Sequence, residues 1–124
     1  MTPPVTAASA AGWVDRYVGA WLSNDPEEIG DLFTPDAVYR TGPWDDPIAG
    51  RRAIVEDWLA RRDEPGTWEF SSEVLAVAGD LAVVTGRTAY TDPPAEYANL
   101  WIIRFGDEAR CRDFTEWYVR APEA

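Results

Sequence analysis

Proton chemistry in this chain has to run on carboxyl and hydroxyl groups. The sequence contains no His, no Lys and a single cysteine, Cys111. That removes disulfides, His-based zinc sites and Ser–His or Cys–His nucleophilic catalysis together. Carboxyl groups alone can hold a hard cation, but no spacing of the acids suggests such a site, and neither a metal nor a cofactor is expected. Cys111 has no activating neighbour pattern and reads as an inert, half-buried thiol. Among the acids, Glu116 stands out. It alternates with Phe114 and Tyr118 in a strand-like run, which puts all three on one face. A carboxyl facing an aromatic interior is costly unless it is partnered, so it either binds something or keeps its proton. Two readings stay open: a general acid–base with a raised pKa, or a structural acid bonded to an indole N–H or to Asn99.

The elements that must position these groups are legible from periodicity. Trp13, Val14, Tyr17, Val18, Trp21 and Leu22 recur at helical spacing from Gly12 onward. Asp25-Pro26-Glu27-Glu28 opens a second, short helix, with Asp25 as cap, Pro26 in its first turn and Glu28 placed to close a capping box. Thr34-Pro35-Asp36 stops it, and Ala37 to Thr41 reads as a short strand. After the irregular loop Gly42-Pro43-Trp44-Asp45-Asp46-Pro47, Gly50 precedes a third helix carrying Ile54, Val55, Trp58 and Leu59, which Asp63-Glu64-Pro65-Gly66 stops. The rest is strand: Trp68 to Val77 with a bulge, Leu81 to Thr91, Tyr97 to Phe105 after a longer loop, and Arg110 to Val119. The expected organisation is a loose arm over residues 1–11, one domain over residues 12–120 and a tail over residues 121–124.

Several segments resemble the nuclear transport factor 2-like superfamily, and within it the SnoaL-like and ketosteroid-isomerase-like proteins. They are Arg16-Tyr17-Val18, Asp25, Leu32-Phe33-Thr34-Pro35-Asp36-Ala37, Pro47-Ile48-Ala49-Gly50-Arg51 and Ile103-Arg104-Phe105. The resemblance implies an α+β fold, a cone-shaped barrel of three N-terminal helices against a strongly curved, mainly antiparallel sheet, with a pocket at the wide end. It also implies a homodimer through the outer sheet face. The superfamily hosts many unrelated activities, so fold alone fixes no reaction. In ketosteroid isomerases an Asp base works with an oxyanion hole built from a Tyr and a protonated Asp. Matched without gaps, the oxyanion Tyr falls on Tyr17, the base on Thr41 and the second oxyanion acid on Trp101. A Thr hydroxyl is no base near neutral pH and an indole only donates. The resemblance therefore argues against steroid isomerisation by that mechanism.

With this register, strand alternation turns Trp68, Phe70, Val84, Gly86, Thr88, Tyr90, Asn99, Trp101, Ile103, Phe105, Phe114, Glu116 and Tyr118 inward, joined by Tyr39, Thr41 and Tyr17. Glu116, Tyr17 and Asn99 are the candidate catalytic residues. Tyr39, Thr41, Trp44, Trp58, Trp68, Gly86, Tyr90, Trp101, Phe114 and Tyr118 are the candidate ligand-binding residues. Each has a bland alternative. Tyr17 packs on its helix stripe or uses its hydroxyl, and Asn99 orients a carbonyl or satisfies a strand bend. The aromatics are walls or core, Gly86 marks a bend or room for a ligand, and Trp44 lids the mouth or sits on a solvated turn.

Composition excludes whole classes. With 46% apolar and 13% aromatic residues the chain has a core to build, and 124 residues suit one domain. A net charge of −11 with no basic patch repels phosphate backbones and anionic lipid, so neither nucleic acid nor membrane is an expected partner. Arg51–Arg52 and Arg61–Arg62 read as a solvated, salt-paired helix face. No signal-peptide pattern and no apolar run of ~20 residues is present, which makes the cytoplasm the default location. The expected partner is a small, largely apolar molecule. The expected activity is cofactor-independent proton transfer: cyclisation, isomerisation or dehydration. The alternatives are a non-catalytic ligand-binding module or a protein-association domain.

Overall fold

In a computed structural model the described residues are 4–122, so the outermost residues of the expected arm and tail lie outside them. The element order is α1 (Ala7–Ser23), α2 (Pro26–Asp31), β1 (Phe33–Arg40), β2 (Ile48–Ala49), α3 (Arg51–Ala60), β3 (Trp68–Ala78), β4 (Leu81–Thr91), β5 (Pro94–Phe105), a 3-10 turn (Asp107–Ala109) and β6 (Cys111–Arg120). One six-stranded sheet runs β2-β1-β6-β5-β4-β3. It is antiparallel except where β1 lies parallel to β6. Three helices against a curved, unclosed, mixed sheet make the expected α+β cone.

Several boundaries differ from the sequence expectation, each for a local reason. α1 starts at Ala7, inside the expected arm, because Thr6 and Ser9 form a reciprocal capping box. Val5 is also tied down, its N–H donating to the Gly79 carbonyl at 2.8 Å. Asp25 caps α2 as expected, its carboxyl accepting from the Glu27 N–H at 2.9 Å, but Glu28 turns back to the Ser23 hydroxyl rather than closing a box. β1 begins at Phe33, four residues early, since an irregularity in its pairing with β6 between Phe33 and Val38 absorbs Pro35. β5 begins at Pro94 rather than Tyr97, so the expected longer loop is a tight turn. The β3 bulge falls between Val74 and Ala76, as read from its broken alternation.

The core is the concave side of the sheet wrapped on α1. Trp13 is fully buried, and its indole N–H donates to the Leu32 carbonyl at 3.0 Å, so the largest core side chain also ties α1 to the end of α2. Phe33, Phe105 and Phe114 surround it at ring separations of 6.2, 6.0 and 5.6 Å. Gly50 caps α3 with φ 96, and its N–H donates to the Ala37 carbonyl at 2.7 Å, joining the helix to β1. On the convex side Trp117 is 44% and Val119 71% exposed. Arg87 and Arg104 also face outward, in ion pairs with Glu96 and Asp80.

Gly86 is a correction. The space beside it holds the Phe70 ring: a Cβ there would lie 2.6 Å from Phe70 Cε1 and 3.1 Å from the Ser71 carbonyl oxygen. Phe70 is itself stacked on Trp101, centroids 5.0 Å apart at 15°, so it has nowhere to retreat. Gly86 admits a core ring, not a ligand. Gly86→Leu is expected to destabilise the fold by about 1–3 kcal/mol through overpacking, read by urea unfolding. A midpoint unchanged from wild type would contradict this packing.

Candidate functional site

A cavity of about 350 Å³ opens between the concave sheet face, α1 and the C-terminal end of α3. Sheet register decides what lines it. In the β5–β6 pairing Trp101 faces Glu116 and Asn99 faces Tyr118, while the parallel β1–β6 pairing sets Tyr39 beside Phe114. The buried stripe of α1 adds Tyr17, and α3 adds Trp58. Thus Tyr17, Tyr39, Thr41, Trp58, Tyr90, Asn99, Glu116 and Tyr118 all line the cavity, as the sequence register places them.

Glu116 sits half-buried among neutral donors. The Trp101 indole N–H donates to Oε2 at 2.9 Å, the Tyr39 hydroxyl donates to Oε1 at 3.3 Å, and Asn99 adds a side-chain hydrogen bond. The Asn99 amide oxygen is already engaged, accepting from the Thr88 hydroxyl at 2.8 Å, which leaves the amide N–H group for Glu116. Tyr39 shares a 2.9 Å hydrogen bond with Tyr17, so a chain Tyr17–Tyr39–Glu116 runs along the wall. No cation pairs with Glu116 among the described residues.

The electrostatic result follows from those neighbours. Burial pushes the Glu116 pKa up, and the bonds from Trp101, Tyr39 and Asn99 pull it down without cancelling that rise. Burial, and then the nearby Glu116 carboxyl, raise both Tyr17 and Tyr39 well above the ordinary tyrosine value. Both hydroxyls therefore keep their protons at physiological pH and serve as donors. The Cys111 thiol is fully buried and pushed well up by desolvation, which makes it inert; it is more deeply buried than the sequence suggests.

Four further candidates stand outside the cavity. Trp101 is 1% exposed and Phe114 is fully buried. Both are core, held in the aromatic cluster of Trp13 and Tyr17, and Trp101 reaches the site only through its N–H. Trp68 is stacked flat on Trp21 with centroids 3.6 Å apart, which spends its face on packing. Trp44 is 94% exposed on its loop and lids nothing in this structure. Thr41 is at the cavity but its hydroxyl donates to Asp45 at 3.1 Å.

The sequence reading missed one pole of the site. Asp63, taken only as a helix stop, lines the cavity, and its Oδ2 accepts from the Trp21 indole and from the Tyr90 hydroxyl, each at 3.1 Å. Arg61 and Arg62, taken as solvated helix face, also line the mouth, as do Asp57, Trp21 and Tyr97. Arg61 is salt-paired on its helix, to Asp57 at 3.2 Å. No local pattern marks Asp63, because its partners Trp21 and Tyr90 lie on α1 and β4 and meet it only once the cone has folded.

The fold and the hollow behind its concave sheet define a cone of the nuclear transport factor 2-like type. A family model for the SnoaL-like domain matches residues 14–119, and the chain belongs to that family. Solved structures share the fold at low identity. A protein of unknown function from Mesorhizobium loti, described as ntf2-like, is 24% identical with a TM-score of 0.70, over 96% of this chain and 99% of that one. A protein of unknown function from Burkholderia xenovorans LB400, described as NTF-2 like, gives 15% and 0.74, over 94% and 88%. A ketosteroid isomerase-like protein from Erwinia carotovora atroseptica SCRI1043 gives 18% and 0.67, over 94% and 97%. No curated protein matches the chain.

The raised Glu116 pKa makes stability depend on pH with a definite sign. Between the ordinary value of 4.5 and the raised native one, the folded chain holds a proton that the unfolded chain has released. Glu116 therefore contributes stability below that window and loses it as pH rises through it. In urea unfolding as a function of pH, wild type is expected to show this decline and Glu116→Gln to lack it. Matching pH profiles for the two proteins would contradict the assignment.

Proposed function

We propose that the cavity binds a small, largely apolar molecule and that Glu116 exchanges a proton with it. The observation that carries this reading is a carboxyl held on a cavity wall by three neutral donors, with no cation paired to it among the described residues. A carboxyl in that setting holds its proton more tightly than one in water, so its proton affinity moves toward that of weak carbon and oxygen acids. It can then take a proton and return it within one cycle. In the resting chain Tyr17 donates to Tyr39 and Tyr39 to Glu116; once Glu116 has taken the proton it no longer needs the Tyr39 hydroxyl, which can then turn to an oxygen that gains negative charge as the proton leaves carbon. Tyr90, Trp58 and Tyr118 supply apolar wall. This matches cofactor-independent isomerisation, cyclisation or dehydration, all of which move a proton beside a polarised carbon–oxygen bond. The competing reading is a binding module in which the same three donors serve only to keep Glu116 in place.

Exchange of the methyl protons of acetophenone in deuterated buffer, followed by proton NMR, separates the two. Wild type is expected to accelerate exchange, and Glu116→Gln to cut that acceleration by ~10²-fold or more, at the low end of what a positioned acid–base contributes. Acceleration that survives in Glu116→Gln, or none in wild type with acetophenone bound, would overturn the proton-transfer reading in favour of binding alone.

A further inference from the structure

We infer that Asp63 is a ligand-binding residue that selects a hydrogen-bond donor, a hydroxyl group in the first instance, on the molecule held in the cavity. The inference rests on the reading of this cavity as the ligand site and names the class of ligand it takes: neutral, apolar in the middle, with a hydroxyl remote from the carbon–oxygen group presented to Glu116.

The site has two poles built alike. At one, an indole and a tyrosine hydroxyl, Trp101 and Tyr39, donate to Glu116; at the other, an indole and a tyrosine hydroxyl, Trp21 and Tyr90, donate to Asp63. Tyr90 lies within the electrostatic reach of both acids, Asp63 the stronger, so the two poles share one space. The poles differ in how far they are satisfied. The donors on Glu116 reach both of its oxygens, through Trp101 and Tyr39. At Asp63 both donors converge on Oδ2, and Oδ1 accepts no hydrogen bond among the described residues. A carboxyl oxygen can accept more than one bond, so Asp63 keeps free acceptor capacity on a cavity wall.

The arginines that line the cavity do not fill it. Arg61 is held by Asp57 at 3.2 Å, and the Arg62 guanidinium donates to the Leu59 carbonyl at 3.2 Å. Oδ1 is open to solvent, and a ligand hydroxyl can take the place of water on it where a methoxy group cannot. An anionic ligand is disfavoured, because Asp63 and Glu116, neither in an ion pair among the described residues, line the same cavity in a chain of net charge −11. Nor does packing alone explain Asp63. Its backbone carbonyl already accepts from the Asn24 side chain at 3.2 Å, which fixes the turn after α3 without the carboxyl.

The test uses two ketones that differ at one atom's ability to donate, para-hydroxyacetophenone and para-methoxyacetophenone, with affinities measured by calorimetry on the full chain. The expected result is that wild type prefers the hydroxyl compound by about tenfold or more, the range of one hydrogen bond to a carboxyl group. In Asp63→Asn an amide can still accept from Trp21 or Tyr90 but offers N–H where Oδ1 stood, so the preference is expected to vanish or to turn toward the methoxy compound. Asp63→Ala, if it folds, is expected to bind the two alike. Measurable binding with equal affinities in wild type, or a preference kept in Asp63→Asn, would overturn the Asp63 assignment alone. The readout is an affinity ratio, so it does not depend on whether Glu116 moves a proton. Failure of both ketones to bind would overturn the reading of the cavity on which the inference rests.

Discussion

The contact between Trp101 and Glu116 joins the core of this protein to its candidate chemistry. Trp101 is 1% exposed and packs against Tyr17, Phe70 and Phe114 at 4.5, 5.0 and 5.2 Å. It is as much a structural residue as any in the cone, and a large buried indole usually needs a partner for its N–H. Here that partner is Glu116, directly across the β5–β6 pair. The core thus fixes where the carboxyl sits, and the carboxyl satisfies a donor that the core would otherwise leave unpaired. Moving either group disturbs both packing and polarity.

Charge is distributed so that this carboxyl stays without a counter-ion. Four ion pairs lie on the outside of the cone: Arg40 with Asp113, Arg112 and Arg104 with Asp80, and Arg87 with Glu96. Such exposed pairs contribute little stability each. Their effect on function is greater, because they occupy arginines at the surface of a chain that has no Lys or His to place inside. Neutral groups are left to solvate Glu116, and neutral donors offset burial less than a guanidinium would.

The sequence carried the fold and one pole of the site. Period-two alternation was enough to turn Glu116, Asn99, Tyr90 and Tyr118 toward the cavity, because a strand allows only two faces. The same rule could not say how deep a residue lies along its face. For Trp101, Phe114 and Trp68 it left wall and core open, and they are core, since alternation does not distinguish lining from filling. Gly86 illustrates this too: a missing side chain in a strand signals close approach, and here the approaching group is Phe70 rather than a ligand. Asp63 was illegible for a different reason. A carboxyl just past a helix end has a sufficient local explanation as a stop, and its partners, 42 and 27 residues away, carry no mark of it.

The direct measurement of this account is the pKa of Glu116 itself, from carbon-13 NMR of glutamate carboxyl groups across pH, with Glu116→Gln identifying its resonance. The expected midpoint lies clearly above the ordinary 4.5, since burial outweighs three neutral hydrogen bonds. A midpoint at or below that value would mean the carboxyl is solvated or paired with a cation, and would contradict it.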